Sequence, residues 1–328
     1  MWKICSNNKS VDFEQIQLFN KTFNTDITKA KWEKKHFQNP YLERSENICM
    51  YKDDKLIGFN MFMPQIYIVD NDEMIFLQSC ESVVEENERG NGYLSKLLSY
   101  SEQLLNDKYS VIYGIPNHKS KPIFDKLGYK EKFALDRMMK FGCIKNILSD
   151  ILHNNKKSQF ESKKTSVKSS DKMIDEIESM HEIKSSSIKI KKNRLLYEWK
   201  IDENKNLFIR YLYTKNTQGE ITAYCIVSFS LQSKIRRAVI LDFYIKKGKE
   251  KDFKDIVNEI KRNVSIILVT IASTSSEQKQ LISAGFRVQH KHVTYLVYKV
   301  ITDNKKLTSI LEREKWAYSP IEADTILN

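Results

Sequence analysis

The segment Val83-Val84-Glu85-Glu86-Asn87-Glu88-Arg89-Gly90-Asn91-Gly92-Tyr93-Leu94 holds the residues best suited to grip an anion. A β-branched run opens through two glycines directly into an amphipathic helix pattern. Gly90 and Gly92 give the backbone conformations closed to other residues, so successive N–H groups can converge on a phosphate at the positive end of the helix dipole. Arg89 adds a full charge beside them. The next apolar run ends in Ile115-Pro116-Asn117, where Asn117 is expected to reach a ligand held between two strands. Upstream, Glu81 lies in the apolar stretch Leu77-Gln78-Ser79-Cys80-Glu81-Ser82-Val83, and a carboxylate on a strand that faces a cleft is a candidate proton acceptor. His36, His118, His290 and His292 have no sequence cluster of cysteines or carboxylates around them, so no metal site is expected.

Positioning these groups requires strands on either side of the loop. Phe13, Ile16, Phe19, Phe23 and Ile27 keep helical spacing, and the runs Ile48 to Tyr51 and Leu56 to Met63 are joined by the turn Lys52-Asp53-Asp54-Lys55. Strands at Ile66 to Val69 and Met74 to Val84 continue a meander. The period then changes: Leu94, Leu97, Leu98, Ser101, Leu104 and Leu105 mark a helix face, Tyr109 to Ile115 a short strand, and Lys119 to Leu127 a helix stopped by Gly128. Strand, helix, strand, helix predicts a parallel crossover, and hence an α/β fold.

The second half repeats the order, with strands at Leu207 to Tyr213, Ile221 to Phe229 and Ala238 to Ile245, a helix from Asp252 to Arg262, the strand Ile266 to Thr270, a helix ending before Gly285 and a strand Val293 to Val300. Gly92 precedes Gly128-Tyr129 by 36 residues and Gly248 precedes Gly285-Phe286 by 37, while Trp32 and Trp199 occupy matching contexts. A tandem duplication accounts for this. The expected division is a first unit at 1–150, a Lys/Ser-rich connector at 151–192 and a second unit at 193–328, with a short helix at Met173 to Met180 inside the connector. Lys246-Lys247-Gly248-Lys249 has charge but a single glycine, so the second unit is expected to be degenerate and without a phosphate cradle.

Arg89-Gly90-Asn91-Gly92-Tyr93-Leu94 resembles the cofactor signature Gln/Arg-x-x-Gly-x-Gly/Ala of the GNAT N-acetyltransferase superfamily, matching its Arg and first Gly; Leu94 stands at its last position. More narrowly, Trp32, Asn39-Pro40, Arg89-Gly90-Asn91-Gly92, Ile115-Pro116-Asn117, Ser120 and Leu127-Gly128-Tyr129, with Trp316 and Asp324, look like a set found in GNAT proteins encoded with bacterial surface-polysaccharide biosynthesis. The resemblance implies tandem GNAT-like units, each a mixed, centrally splayed sheet flanked by helices. It also implies acetyl-CoA as co-substrate, its pyrophosphate on the amides of Arg89 to Leu94, its pantetheine arm along the strand that ends in Val83 and Val84, with Asn117, Ser120 and Phe124 nearby. The implied activity is acetyl transfer to a small-molecule amine, such as an amino sugar or sugar-nucleotide, with Glu81 as base. Where the family places a tyrosine as general acid this chain has Phe124, which cannot donate a proton; either the thiolate leaves unassisted, or another group such as Tyr129 or Tyr113 helps, or the protein is not an efficient catalyst. Two other readings stay open, a Fem-like transferase drawing on aminoacyl-tRNA, which would not need the cradle, and a non-catalytic acyl-CoA-binding module, which Phe124 favours.

Composition sets the outer limits. At 328 residues, with 41% hydrophobic and 11% aromatic residues, the chain can bury two cores. Its apolar runs are far shorter than the ~20 residues of a membrane span, and the N-terminus lacks the apolar core of a secretory signal, so a cytoplasmic location is expected. Five cysteines without a Cys-x-x-Cys pair argue for reduced thiols. The net charge of +12 does not by itself imply nucleic acid. The stretch Asn154 to Lys192 has ten lysines against six acidic residues but only Phe160 as an aromatic, which predicts a solvated connector rather than a nucleic-acid groove.

Overall fold

A computed structural model describes residues 1–6, 13–39, 45–152, 167–170, 173–181, 188–201, 208–289 and 294–322. The first half runs β1 (Trp2–Ser6), α1 (Phe13–Phe23), α2 (Lys29–Phe37), β2 (Glu46–Lys52), β3 (Lys55–Val69), β4 (Asp72–Val84), α3 (Tyr93–Leu105), β5 (Val111–Gly114), α4 (Lys121–Lys126), β6 (Lys130–Phe141) and α5 (Ile144–Ile151). There follow β7 (Lys168–Ser169), α6 (Met173–His181), β8 (Lys189–Ile190), α7 (Arg194–Ile201), β9 (Phe208–Lys215), β10 (Ile221–Gln232), β11 (Ile235–Ile245), α8 (Glu250–Asn263), β12 (Ile266–Ala272), α9 (Ser276–Ser283), β13 (Arg287–Val288), β14 (Thr294–Val300) and α10 (Lys305–Arg313).

Local chemistry explains the hairpins. Asp53 and Asp54, Asp70 and Asn71, and Ser233 and Lys234 all take positive φ, which gives tight two-residue turns whose twist suits the strands they join. Pro64, where the sequence suggested a break, lies inside β3. β2 pairs with β3 only as far as Phe62, so the N–H that proline lacks has no β2 partner to miss. The helix α2, which the hydrophobic pattern did not reveal, starts at Thr28, whose side chain accepts from Lys31 N.

The described strands form one mixed, open sheet in the order β1-β2-β3-β4-β5-β14-β6-β12-β11-β10-β9-β7, with β13 beside β6 and β8 beside β3. Among the paired strands of the described residues only β4–β5 and β11–β12 are parallel. In each half the parallel pairing is brief: Phe76 to Ser79 against Val111 to Gly114, and Arg237 to Val239 against Ile266 to Leu268. Past those registers the strands part, and a bulge falls at the parting. In β4 it lies between Val83 and Cys80, opposite Phe59 and Met61; in β11 it lies between Asp242 and Ile240, opposite Ile226 and Val227.

Two units of one design therefore lie in tandem, but they exchange strands. β14, near the C-terminus, inserts between β5 and β6, while β6 inserts between β14 and β12. The sheet continues unbroken from one half into the other. The faces of the first half carry separate apolar clusters: one against α1 and α2 holds Trp32, Phe59, Phe76 and Tyr113 and runs on into the second half, the other against α3 and α4 holds Leu77, Leu97, Ile112 and Phe124. The stretch expected to be a solvated connector contributes to the core, because Val167, Met173, Ile174, Ile177, Ile188 and Ile190 are buried and β7 and β8 add to sheet edges. Its α6 covers the expected short helix. Asp324, Pro40, His290 and His292 lie outside the described residues.

Candidate active site

The loop after β4 is built to keep its amides free. Glu85 N bonds to Ile57 O, a short 3-10 turn at Glu86–Glu88 follows, and Gly90 and Gly92 take φ of 85° and 70° before α3 begins. Nothing lies within 4 Å of the point where a Cβ would stand on either glycine, so the concave side of the loop is open. Among the described residues the amides of 90–95 have no acceptor in the protein. They sit at the positive end of a 13-residue helix, the arrangement that receives a phosphate. The Arg89 Nε donates to Val84 O at 3.3 Å, which ties the guanidinium to the end of β4. The loop's own acids are compensated: Glu85 is held by Lys55 at 2.8 Å and Lys21 at 3.6 Å, and Glu88 by Lys52 at 2.8 Å. The hydrogen bond from Lys55 keeps the Glu85 carboxyl below its ordinary range, against its partial desolvation.

From this loop β4 leads back to the parting of the strands. Val83 and Val84 pair with Phe59 and Gly58 on the β3 edge, leaving the other edge of β4 unpaired beyond Ser79. On the α3/α4 side, Asn60 bonds to Ser79 and Ser82, and the Phe124 ring rests on Gly114, where an added Cβ would meet it at 3.4 Å. Phe124 thus stands at the mouth of the splay. Tyr129 meets its edge at 4.8 Å, but the Tyr129 hydroxyl is buried beside Glu102 of α3, and burial with that carboxylate pushes the phenol well above its usual range. The Asn117 side-chain oxygen is committed to the amides of Lys119 and Ser120, so it shapes the start of α4 and leaves only its NH2 for a ligand.

Glu81 sits in the bulge with φ of 34°, and its side chain faces α2. Lys35 pairs with one carboxylate oxygen and His36 Nε2 lies 3.3 Å from the other; all three residues are buried. His36 Nδ1 meets Ser45 Oγ at 3.2 Å, which orients the ring, and Trp32 packs on it at 4.7 Å. Trp32, Lys35 and His36 share a face of α2 through their spacing of three and four residues. Cys80 joins His36 and Glu81 in a donor set of the kind that binds metals. The ammonium already on Glu81 competes with any cation there.

Sequence reasoning did not find this α2 contribution. The one signal was Trp32 four residues before His36, which becomes informative only once α2 is known to be a helix. His118 is exposed in the turn ahead of α4. A second cluster was not assembled from the sequence, although Tyr113 is one of the candidate donors named there. Gln65 on β3, Gln78 on β4 and Tyr113 on β5 are buried on the α1/α2 face and carry polar atoms that have no hydrogen-bond partner among the described residues. Beside them Tyr67 donates to Glu322 at 2.5 Å, and Glu322 also accepts from Trp316 Nε1 at 3.2 Å and Ser319 N at 2.6 Å. Burial pushes the Glu322 carboxyl up to about 7, and desolvation raises both tyrosines well above their ordinary value.

Among the described residues the second half has no matching cradle. Gly248 takes φ of 79°, but its amide donates to Glu250 at 3.2 Å, so an internal carboxylate occupies the place of a phosphate. Asp242, at the bulge, is fully buried and bound by Lys192, Tyr197, Tyr224 and Ser319.

Known proteins share features of sequence family and fold with this chain. Residues 8–131 match the family described as acetyltransferase (GNAT) domain. No curated protein matches the sequence. Among solved structures, a conserved Enterococcus faecalis protein described as a probable N-acyltransferase superposes with a TM-score of 0.67 at 12% identity, over 92% of this chain and 73% of its own. The Saccharomyces cerevisiae N-myristoyltransferase with bound myristoyl-CoA gives 0.62 at 10% identity, over 90% of this chain and 82% of its own. A tandem GNAT protein from the clavulanic acid biosynthesis pathway gives 0.60 at 9% identity, covering 93% of this chain and 100% of its own. Such identities speak for the fold. Residues 8–131 thus match the GNAT acetyltransferase domain model, and over nearly its whole length the chain shares the fold of these structures, a tandem GNAT protein among them.

Proposed function

We propose that the first unit binds acetyl-CoA and transfers its acyl group to the amine of a small molecule, of the amino-sugar or sugar-nucleotide kind, and that the second unit binds no CoA. The observation that carries this reading is the run of free amides at 90–95, set at the head of α3 and leading to the parted strands β4 and β5. Acyl-CoA supplies an activated thioester; the residues bind and orient it. The amides of Gly90 to Leu94 and the Arg89 guanidinium hold its pyrophosphate, the Arg89 amide being spent on Glu86 O, while the free edge of β4 at Val83 and Val84 holds the pantetheine arm and Phe124, with Asn117 and Ser120 at the α4 turn, borders the thioester end.

The acceptor amine approaches from the α1/α2 face. Glu81 takes the proton that the amine loses as the amide bond forms, with His36 behind its second oxygen, and the CoA leaves as the thiol once that proton is returned. A thiol is acidic enough to leave with little help, so Phe124 is compatible with turnover; Tyr129 is the nearest phenol, and its hydroxyl must first turn from Glu102. The orphaned groups of Gln65, Gln78 and Tyr113 suit a neutral acceptor rich in hydroxyl or amide groups, since a buried polar atom without a partner is costly and a ligand can supply one. Lys35, which is buried, and Lys192, which is partly buried, are already paired with Glu81 and Asp242, which disfavours a carboxylate at this point.

The open cradle also disfavours the aminoacyl-tRNA alternative, whose donor has no pyrophosphate to place there. The non-catalytic alternative rests on Phe124. Calorimetric titration with acetyl-CoA and with CoA, followed by measurement of thiol release in the presence of amino sugars, separates the readings. Micromolar binding at one site per chain with acceptor-dependent thiol release is expected. Binding without release for any amine would leave the binding module, and no binding at millimolar ligand would end the acyl-CoA reading.

A further inference from the structure

The surface at the head of α3 carries an aromatic platform that the phosphate cradle itself does not use. Trp2, on the edge strand β1, is 47% exposed, whereas Trp32, Trp199 and Trp316 are 1%, 3% and 2% exposed. Lys96 Nζ lies 4.8 Å from the centre of the Trp2 ring and 5.0 Å from that of Tyr93, so one ammonium bridges two rings. Tyr93 is the first residue of α3, and the Lys96 amide donates to Gly92 O at 3.1 Å. Side chains on a helix lean back towards its N-terminus, which carries the Lys96 stem over the turn that opens at the loop.

Two contacts hold this platform beside the loop. Trp2 stands opposite Lys52 in the β1–β2 register, so both side chains share one face, and Lys52 reaches Glu88 of the loop at 2.8 Å. Ile4, two residues further along β1 on that same face, packs against the apolar cluster beneath α3. The Trp2 ring is thereby fixed between the hairpin tip and the first turn of α3 while half of it stays open to solvent.

The charges here are unevenly matched. Glu85 and Glu88 on the loop each have a lysine partner, but Lys96 has no carboxylate partner among the described residues and meets only the two π faces. An ammonium over a ring keeps N–H groups for an anion on its outer side. A half-exposed indole beside such a cation suits a flat heteroaromatic base that carries a phosphate. In acyl-CoA the pantetheine arm and the adenosine leave the pyrophosphate at opposite ends. With the arm directed inward along β4, the adenosine is left on the outer surface at the loop, where Trp2, Tyr93 and Lys96 stand.

We propose that this platform seats the 3′-phosphoadenosine end of acyl-CoA, with the adenine stacked on Trp2 and the Lys96 ammonium on the 3′-phosphate, an inference that rests on the acyl-CoA reading above. Tryptophan fluorescence of the full chain tests it, because iodide reaches Trp2 and not the three buried indoles. Saturating CoA is expected to quench the exposed emission and to shield it from iodide, and adenosine 3′,5′-bisphosphate alone is expected to do the same at higher concentration. Trp2→Ala is expected to weaken acetyl-CoA binding on the order of tenfold in calorimetry with the melting temperature unchanged, and Trp2→Phe to keep most of the affinity. Lys96→Ala is expected to bring the affinity for CoA down to that for 3′-dephospho-CoA. Acetyl-CoA that binds with iodide access unaltered, wild-type affinity in Trp2→Ala, or an undiminished preference for the 3′-phosphate in Lys96→Ala would overturn the inference and leave the cradle standing. No binding of acetyl-CoA to the wild-type chain would instead remove the acyl-CoA reading, and this inference with it.

Discussion

At the scale of single residues, the functional reading turns on Gly92 and Glu81. Gly92 stands at φ of 70° facing open space. A tryptophan there strains the backbone and fills the cradle, so Gly92→Trp is expected to weaken acetyl-CoA binding by roughly a hundredfold or more in calorimetry, while Gly248→Trp leaves it intact. Equal losses at both positions would sink the asymmetry between the units. Glu81→Gln is expected to cut turnover by about a hundredfold with acetyl-CoA affinity unchanged. The same variant strands the buried Lys35 ammonium, so a fall in melting temperature is expected alongside. Unchanged turnover would strip Glu81 of its role as base. Phe124→Tyr restores a hydroxyl at the mouth of the splay, and a several-fold rise in thiol release under saturating substrate would mean that protonation of the leaving group limits the rate.

At the scale of elements, the join between the halves depends on close backbone approach. Gly142, between β6 and α5, bonds to Ser265 O at 2.8 Å, and a Cβ there would stand 1.7 Å from Val264 O. No side-chain movement relieves a backbone clash. Gly142→Ala is therefore expected to destabilise the chain by more than about 2 kcal/mol in denaturant unfolding. Much of the element level was legible beforehand. The turns at Asp53-Asp54 and Asp70-Asn71, the strands around them and the α3 stripe follow from local chemistry. Helix α2 was not, because its stripe is short and three of its nine residues that face inward include Lys35 and His36, polar groups that become core only by meeting Glu81.

At the scale of the molecule, the C-terminal residues complete the first unit. Trp316 packs against Tyr67, Phe76 and Tyr113, and Ser319 links Glu322 to Asp242 of the second half. Glu322, raised to about 7 from an ordinary 4.5, binds its proton more tightly folded than unfolded. Its contribution to stability is fully present below about 4.5 and is lost as pH rises through 7, a change of roughly 3 kcal/mol. Glu322→Gln carries no such titration. The stability of the variant relative to wild type is thus expected to improve as pH rises across that window, read from urea unfolding at a series of pH values. A difference that stays flat with pH would show that Glu322 does not titrate there. Asp242 works oppositely. Burial alone would raise it, but Lys192 and its hydroxyl donors together hold it below its ordinary value, so it contributes stability above that value that is lost as acid protonates it.

What the sequence determined by itself is local: the alternation and turn residues that make hairpins, the glycine loop ahead of a helix, and the repeat that betrays two units. These features are set by backbone sterics and by residues adjacent in the chain. The tertiary structure decided what lies side by side from afar. It placed β14 between β5 and β6, brought His36 and Lys35 to Glu81, set Glu322 beside Tyr67 across 255 positions of chain, and turned the Tyr129 hydroxyl towards Glu102. Strand exchange between two similar units leaves no mark in periodicity, because either partner strand presents the same alternating pattern to its neighbour. Only the packing of the whole chain selects between them.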